Sequence, residues 1–453
     1  MLSIRTAQGM SFSLAMGRGP GLGAMTLLVL SMVAGACGGA APPAPAPNVL
    51  HIGVDLPITG REARAARPAL NGIRFFVQTH PTLDGFGVAL TTTDDAGGGW
   101  ANPARGAANV QGFLADSNLV AMIGPFDSAV ARKEIPIANV AGLAMIAPAT
   151  SNPCLTRNVF VPRLLNPART EITCKSAGLP AASDLRPAKN NNFFRLTTTD
   201  ELQGAAAADY AFSKLHVVRA AVITDHEVYG QGLADAFTAR LASLGGTVLG
   251  QLDLDPKNPD ASEFLKSMKG EGTQGIYYGG STRGGGCVVR AEMKAVFTNA
   301  EATPFLGADG IAQDPACIKA AGDNSAGIYA TVPIVDADTR AGAAATIRDF
   351  KAAFGSTADY GPYTMVAYDA TAVLYAALDA AIRDAGGRLP ERAKVTAKLA
   401  QTAGLAGVTG TLGFDAGGDT TNRIVSLFEA IGADSRAPWK LVDATDYSAR
   451  LPY

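Results

Sequence analysis

The chain has 453 residues, 47% apolar and 17% charged, with 38 Lys and Arg against 40 Asp and Glu for a formal charge of −2. That length accommodates two or three domains with substantial cores, and the low charge excludes wholesale disorder and a charge-laced coiled coil. Without a basic field, nucleic acid and anionic membrane surfaces are poor partners.

Arg5 and Arg18 precede an apolar run over 24–33. At about 10 residues it is half the ~20 that a membrane-spanning helix needs, so it reads as a signal-peptide core, with residues 1–36 removed on export. The run ends in Ala34-Gly35-Ala36-Cys37, which resembles a bacterial lipobox, where the cysteine receives lipid. Ala34 stands where that motif prefers leucine, and ordinary export cleavage at the same bond fits equally. Residues 37–48 (CGGAAPPAPAPN) then form a Pro/Ala tether. The expected location is outside the cytoplasm, in the periplasm or at the cell surface, with a membrane anchor through Cys37. In such an oxidising compartment Cys154, Cys174, Cys287 and Cys317 form two bridges. Of three possible pairings, Cys154 to Cys174 and Cys287 to Cys317 close the shortest loops. No C-x-x-C occurs and the four His are scattered, so no metal or cofactor is expected.

From residue 49 short apolar runs alternate with helical patterns, which calls for a parallel sheet with helices on both faces. The pattern predicts strands over 49–56, 86–94, 119–124 and 143–147, and helices over 63–79, 103–115 and 128–139. Residues 159–192 break the rhythm with Pro, Asn and basic residues, and read as a surface insertion pinned by the first disulfide. A second series follows, with strands over 217–224, 247–252, 275–278 and 304–306. Its helices are predicted over 202–214, 231–244, 261–269 and 288–299, the second stopped by Gly245-Gly246. The remainder gives a strand over 328–333, helices over 341–354, 365–384 and 391–402, and a closing β pair over 411–414 and 423–429.

Several stretches resemble one family: the substrate-binding proteins of ABC transporters for branched-chain amino acids, the leucine/isoleucine/valine type. The matching segments are DLPITG, NGIRFF, TTDDA, MIGPFDSAVARKEIPIANVAGLAMIAPATSNPCLT, FRLTTTDELQG, ITDHEVYGQGLADAF, IYYGG, FLGADG, VAYDATAVLYAA and GTLGFDAGGD. The resemblance implies an α/β type I periplasmic-binding fold, with two Rossmann-like doubly wound lobes joined by three hinge crossings near 195–199, 330–332 and 414–418. Lobe 1 would comprise 49–196 with 333–414, and lobe 2 would comprise 199–330 with 416–453. The implied function is capture of an amino acid or related small polar ligand by lobe closure and delivery to an ABC permease, by a monomer without enzymatic activity.

A zwitterionic ligand needs donors for its carboxylate and an acceptor for its ammonium. The resemblance implies that Ser128, opening a helix, binds the carboxylate with nearby helix-start amides; a plain helix-start serine is the other reading. It likewise assigns the Ala149 carbonyl to the ammonium and the amide and hydroxyl of Ser151 to the carboxylate, with Thr150 as the one-residue alternative. Asp309 matches an acid that pairs with the ammonium, and Tyr229 a tyrosine lining the cleft. Tyr278 is a further cleft candidate.

Departures bear on ligand identity. Ala65 falls where members often carry an aromatic residue, among Arg61, Arg64 and Arg67, which would suit a larger or acidic ligand as readily as leucine. Gly97 and Asp127 occupy positions where some members hold a disulfide. The loop GGGW ends in Trp100, expected to pack on the surface, with a cover over the cleft mouth as the other option. Neither a G-x-S-x-G elbow nor a G-x-x-x-x-G-K-[ST] loop is present, which argues against an enzyme. A ligand-sensing lipoprotein of the same fold is the alternative function.

Overall fold

The computed structural model describes residues 48–163, 170–297, 302–355, 360–432, 438–449 and 451. The expected signal peptide, Cys37 and all of the tether but Asn48 lie outside the described residues.

Two sheets organise the chain. The first runs, in spatial order, Phe193–Arg195, Ala144–Ala147, Leu119–Ile123, Asn48–Leu56, Phe86–Asp94 and Thr82–Leu83, all parallel save the last short hairpin. Strands Leu119–Ile123 and Ala144–Ala147 are unbroken apolar runs because helices cover both faces of the sheet there. Leu50, Ile52, Val54 and Ile146 meet Leu70 and Ile73 of helix Ala63–Thr79 and Val373, Leu374 and Leu378 of helix Thr364–Asp384. On the other face Met122 and Met145 meet Val110 and Phe113 of helix Pro103–Ala115 and Ile135 of helix Ser128–Val140. The start of Pro103–Ala115 is set locally: Asn102 caps the amides of Ala104 and Arg105, and Pro103 supplies a fixed first turn.

The second sheet runs Thr247–Asp253, Arg219–Thr224, Gly275–Gly279, Phe305–Gly307, Ile328–Val332, Ile424–Ala430 and Trp439–Asp446. The first five strands are parallel, and Ile424–Ala430 runs antiparallel to both of its neighbours. Here the expected closing β pair is not made. Gly410–Leu412 pairs with Leu405–Gly407, and Ile424–Ala430 pairs with Ile328–Val332 and Trp439–Asp446, leaving one bridge from Phe414 to Thr420. The reason is burial: from the second sheet Val425 packs on Leu202 and Ala206 of helix Asp200–Ser213, and Phe428 reaches the first lobe's core.

The chain changes sheet three times: after Arg195, after Val332, and between Leu412 and Ile424. These passages are bonded together, Arg195 N to the Gly418 carbonyl at 3.0 Å and Thr198 N to the Pro333 carbonyl at 2.8 Å. The buried Arg195 guanidinium reaches Asp419 at 2.7 Å, and Arg157 reaches both Asp419 at 2.9 Å and Glu201 at 2.7 Å.

Both disulfides have the sequence-local pairing, Cys154–Cys174 and Cys287–Cys317. The segment around the first is not a surface insertion alone. Leu155 and Leu185 enter the first lobe's core, whereas Phe160, Val161 and Leu179 pack on Ala205 and Ala239 of helices Asp200–Ser213 and Val228–Ser243, which cover the second sheet.

Candidate functional site

On the first lobe, the loops after Leu119–Ile123 and Ala144–Ala147 meet. Asp127 caps the following helix, its Oδ1 accepting from Ala129 N at 2.7 Å and Val130 N at 3.1 Å. Two helix-start amides that the sequence offers to an anion are therefore already held by a carboxylate. The Ser128 hydroxyl accepts from Asn152 N at 3.3 Å, joining the helix start to the second loop. In that loop Ala149, Thr150 and Ser151 are all buried. The Thr150 carbonyl accepts from the Thr197 hydroxyl at 2.9 Å, while its own hydroxyl has no partner. The Ser151 carbonyl accepts from Asp200 N at 3.0 Å.

On the second lobe, Asp309 follows Phe305–Gly307 and gathers donors from both lobes. Its Oδ1 accepts from the Tyr229 hydroxyl at 2.6 Å and from Gln203 Nε2 at 3.1 Å, and its Oδ2 from the Tyr363 hydroxyl at 2.7 Å. Tyr363 belongs to the first lobe's core, edge-on to Phe126 at 5.1 Å. Burial and the Asp309 charge push the Tyr229 and Tyr363 hydroxyls up, so both remain donors. The lobes thus touch through a charged hydrogen bond.

Asp200, which sequence reasoning missed, lies between the two groups. It is 1% exposed and neither oxygen has a partner within hydrogen-bond geometry. Burial pushes it up to about 7, Asp309 and Glu201 reinforcing the shift and the nearby Ser151 hydroxyl and Arg195 opposing it.

Tyr278 requires a correction. It is fully buried in the second lobe's core beside Phe305, its hydroxyl donating to the Ser281 carbonyl at 2.8 Å. Strand alternation sends its neighbour the other way. Tyr277 stacks on Phe237 at 4.1 Å, and its unpartnered hydroxyl feels the charges of Asp200 and Asp309. Unpartnered carboxylate and hydroxyl groups here can take up an ammonium on one side and hydrogen-bond a polar or anionic group on the other.

Trp100 also departs from plain surface packing. It is half-buried, with the Arg61 guanidinium 5.0 Å and the Arg283 guanidinium 4.6 Å from its ring centre. Ala65 and the three neighbouring arginines are exposed. Among the described residues no group of three or more His, Cys, Asp and Glu is arranged to hold a metal ion.

A sequence model described as periplasmic binding protein matches residues 49–434. A Leu/Ile/Val-binding protein of Rhizobium johnstonii is 27% identical over 84% of this chain and 91% of its own. An amino acid binding protein of Pseudomonas aeruginosa is 26% identical over 53% of this chain and 54% of its own. Among solved structures, a leucine binding protein from Thermotoga maritima superposes with a TM-score of 0.67 at 22% identity, covering 87% of this chain and 98% of the other. A solute binding protein of an ABC transporter from R. palustris, in complex with 4-hydroxybenzoate, gives a TM-score of 0.69 at 15% identity, covering 88% and 97%.

Proposed function

Because the chain belongs to the periplasmic binding protein family, whose members are exported, non-enzymatic solute-binding proteins, we propose that it captures an amino acid of the branched-chain type, or a related small polar molecule, and delivers it to an ABC permease. In this reading Asp309 and Asp200 take the ammonium with the Ala149 carbonyl, Ser128, Thr150 and Ser151 take the carboxylate, and Tyr229 and Tyr277 frame the pocket. The lobes are 49–196 with 333–414 and 199–330 with 416–453. The protein acts as a monomer held to the membrane by lipid on Cys37.

The observation that carries this reading is Asp309, a carboxylate bonded from both lobes, whose charge is felt by a second buried carboxyl, Asp200. Two acids in one cleft favour a ligand with a cationic group. A thermal-shift screen with amino acids, short amides, polyamines and small aliphatic and aromatic carboxylates tests it, because a ligand that binds only the folded state raises its stability. Aliphatic amino acids are expected to raise the melting temperature. Asp309→Asn should weaken the same ligand roughly 10- to 100-fold, since a charged hydrogen bond is worth about 1.5–3 kcal/mol. A shift with 4-hydroxybenzoate and none with any amine would overturn the amino acid assignment.

A further inference from the structure

Trp100 reaches its position through a small built element. The hairpin Ala96–Gly97 with Trp100–Ala101 is fastened to the loop after Asn48–Leu56 by Arg61 N to the Gly99 carbonyl at 3.0 Å and Ala101 N to Glu62 Oε2 at 2.7 Å. The backbones approach so closely that a Cβ at Gly60 would stand 2.5 Å from the Gly99 Cα, so only glycine fits there. Arg61 is part of this same lobe. Arg283 is not: it follows Gly275–Gly279 in the second sheet, with Glu227 of that lobe 3.8 Å away.

We infer that Trp100 is an affinity-determining residue of ligand capture, its ring gripped by Arg283 of the opposite lobe when the cleft closes. The inference rests on the capture reading above. Topology supplies the lever. The first crossing leaves from Phe193–Arg195 at one edge of the first sheet, and the hairpin follows Phe86–Asp94, four strands further across. At ~4.8 Å per strand the ring lies roughly 20 Å from that edge, so an opening of about 15° carries it roughly 5 Å from its present place. That takes a contact now measuring 4.6 Å beyond the ~6 Å reach of a cation–π interaction. Contacts close to the hinge, such as Arg195 to Asp419, lie on a short arm and change little. The mouth contact therefore stabilises the closed state selectively, and so slows ligand release. Its charge setting is mixed: Glu62 and Glu227 flank the two guanidiniums, which keeps like charges from repelling across the ring.

The chain has two tryptophans, Trp100 and Trp439, so Trp439→Phe leaves Trp100 as sole reporter. Its emission is recorded with and without L-leucine and 4-hydroxybenzoate, in that background and with Arg283→Ala added. The expected result is a probe-dependent change that Arg283→Ala at least halves, with affinity falling roughly 3- to 30-fold, mostly through faster dissociation. Trp100→Phe, which keeps a ring of weaker cation affinity, should fall between wild type and Trp100→Ala. If neither probe binds, the capture reading fails for those ligands and the unliganded proteins, whose clefts still sample the closed state, decide: a change in Trp100 emission on adding Arg283→Ala supports the contact. Identical emission before and after that substitution, with and without probes, overturns it, as does unchanged affinity in Arg283→Ala.

Discussion

Asp200 couples the cleft to pH. A carboxyl held up to about 7 in the folded chain contributes stability that is full below about pH 4 and is lost as pH rises toward 7. A ligand ammonium reverses this by favouring the ionised form, so binding releases a proton below pH 7. Affinity for L-leucine should therefore rise by up to about tenfold between pH 6 and 8. Asp200→Asn should bind weakly and without that slope; calorimetry in two buffers of different ionisation enthalpy counts the proton. A pH-dependent affinity that survives in Asp200→Asn would place the titration elsewhere. Part of this site was legible. Ser128, Ser151, Tyr229 and Asp309 each sit at a strand end or helix start within an ordered set of short segments. Asp200 and Gln203 stood in the same segment, FRLTTTDELQG, but burial alone distinguishes them from an ordinary helix start. Tyr363 had no local signal, since its bond to Asp309 spans 54 residues and two lobes. Tyr277 and Tyr278 differ only in which sheet face they take, which a two-residue apolar run does not reveal.

At the scale of elements, the strands and helices of the parallel units could be read because apolar runs and caps agree with the tertiary fold. Helix Pro315–Ala321 was missed although Asp314 and Pro315 mark its start, because seven residues carry too little periodicity. Trp439–Asp446 was missed because it is an edge strand, half-exposed and lacking a continuous apolar run. The segment after Cys154 shows what spacing cannot show: a disulfide was foreseeable, its seat on the other lobe was not. Phe160 presses on helix Val228–Ser243 at Gly232, where an added Cβ would lie 2.6 Å from the ring. Gly232→Ala should destabilise the protein by about 1–3 kcal/mol through overpacking, read from the urea midpoint. Adding Phe160→Leu should recover much of the loss, a coupling expected only of residues in contact. Simple additivity of the two changes would show that the segment does not press on this helix.

Across the whole molecule, buried carboxyls set the response to pH, and the first lobe holds a cluster of three. The first lobe buries Asp55, Asp95 and Glu134 with no exposed surface, on strand Asn48–Leu56, just after Phe86–Asp94 and on helix Ser128–Val140. Thr93 and Asn109 donate to one oxygen of Asp55, the Asp55 and Glu134 carboxyls lie against each other, and neither oxygen of Asp95 has a hydrogen-bond partner among the described residues. Burial raises all three, Asp95 to about 8, and the neighbouring charges of Asp55, Asp127, Glu62 and Asp94 add to the shift at Asp95. Groups raised in the fold bind protons there that the unfolded chain has released, so stability falls as pH climbs from about 4 to about 8. The slope is about 1.4 kcal/mol per pH unit for each extra proton held. Asp419 acts oppositely. Arg195 and Arg157 hold it well below the usual carboxylate range despite its burial, so its contribution is present above about pH 4 and is lost only in stronger acid. The two trends cross in mildly acidic solution. Urea midpoints should peak near pH 4–5 and decline to pH 8.5, and the pair Asp95→Asn with Glu134→Gln should flatten the decline by replacing titratable groups with amides of similar size. A profile equally steep in that variant would assign the decline to the raised carboxyls that remain, Asp55 in the first lobe and Asp200 in the second, while a loss of stability at every pH would show that the carboxyls act through packing rather than through their protons.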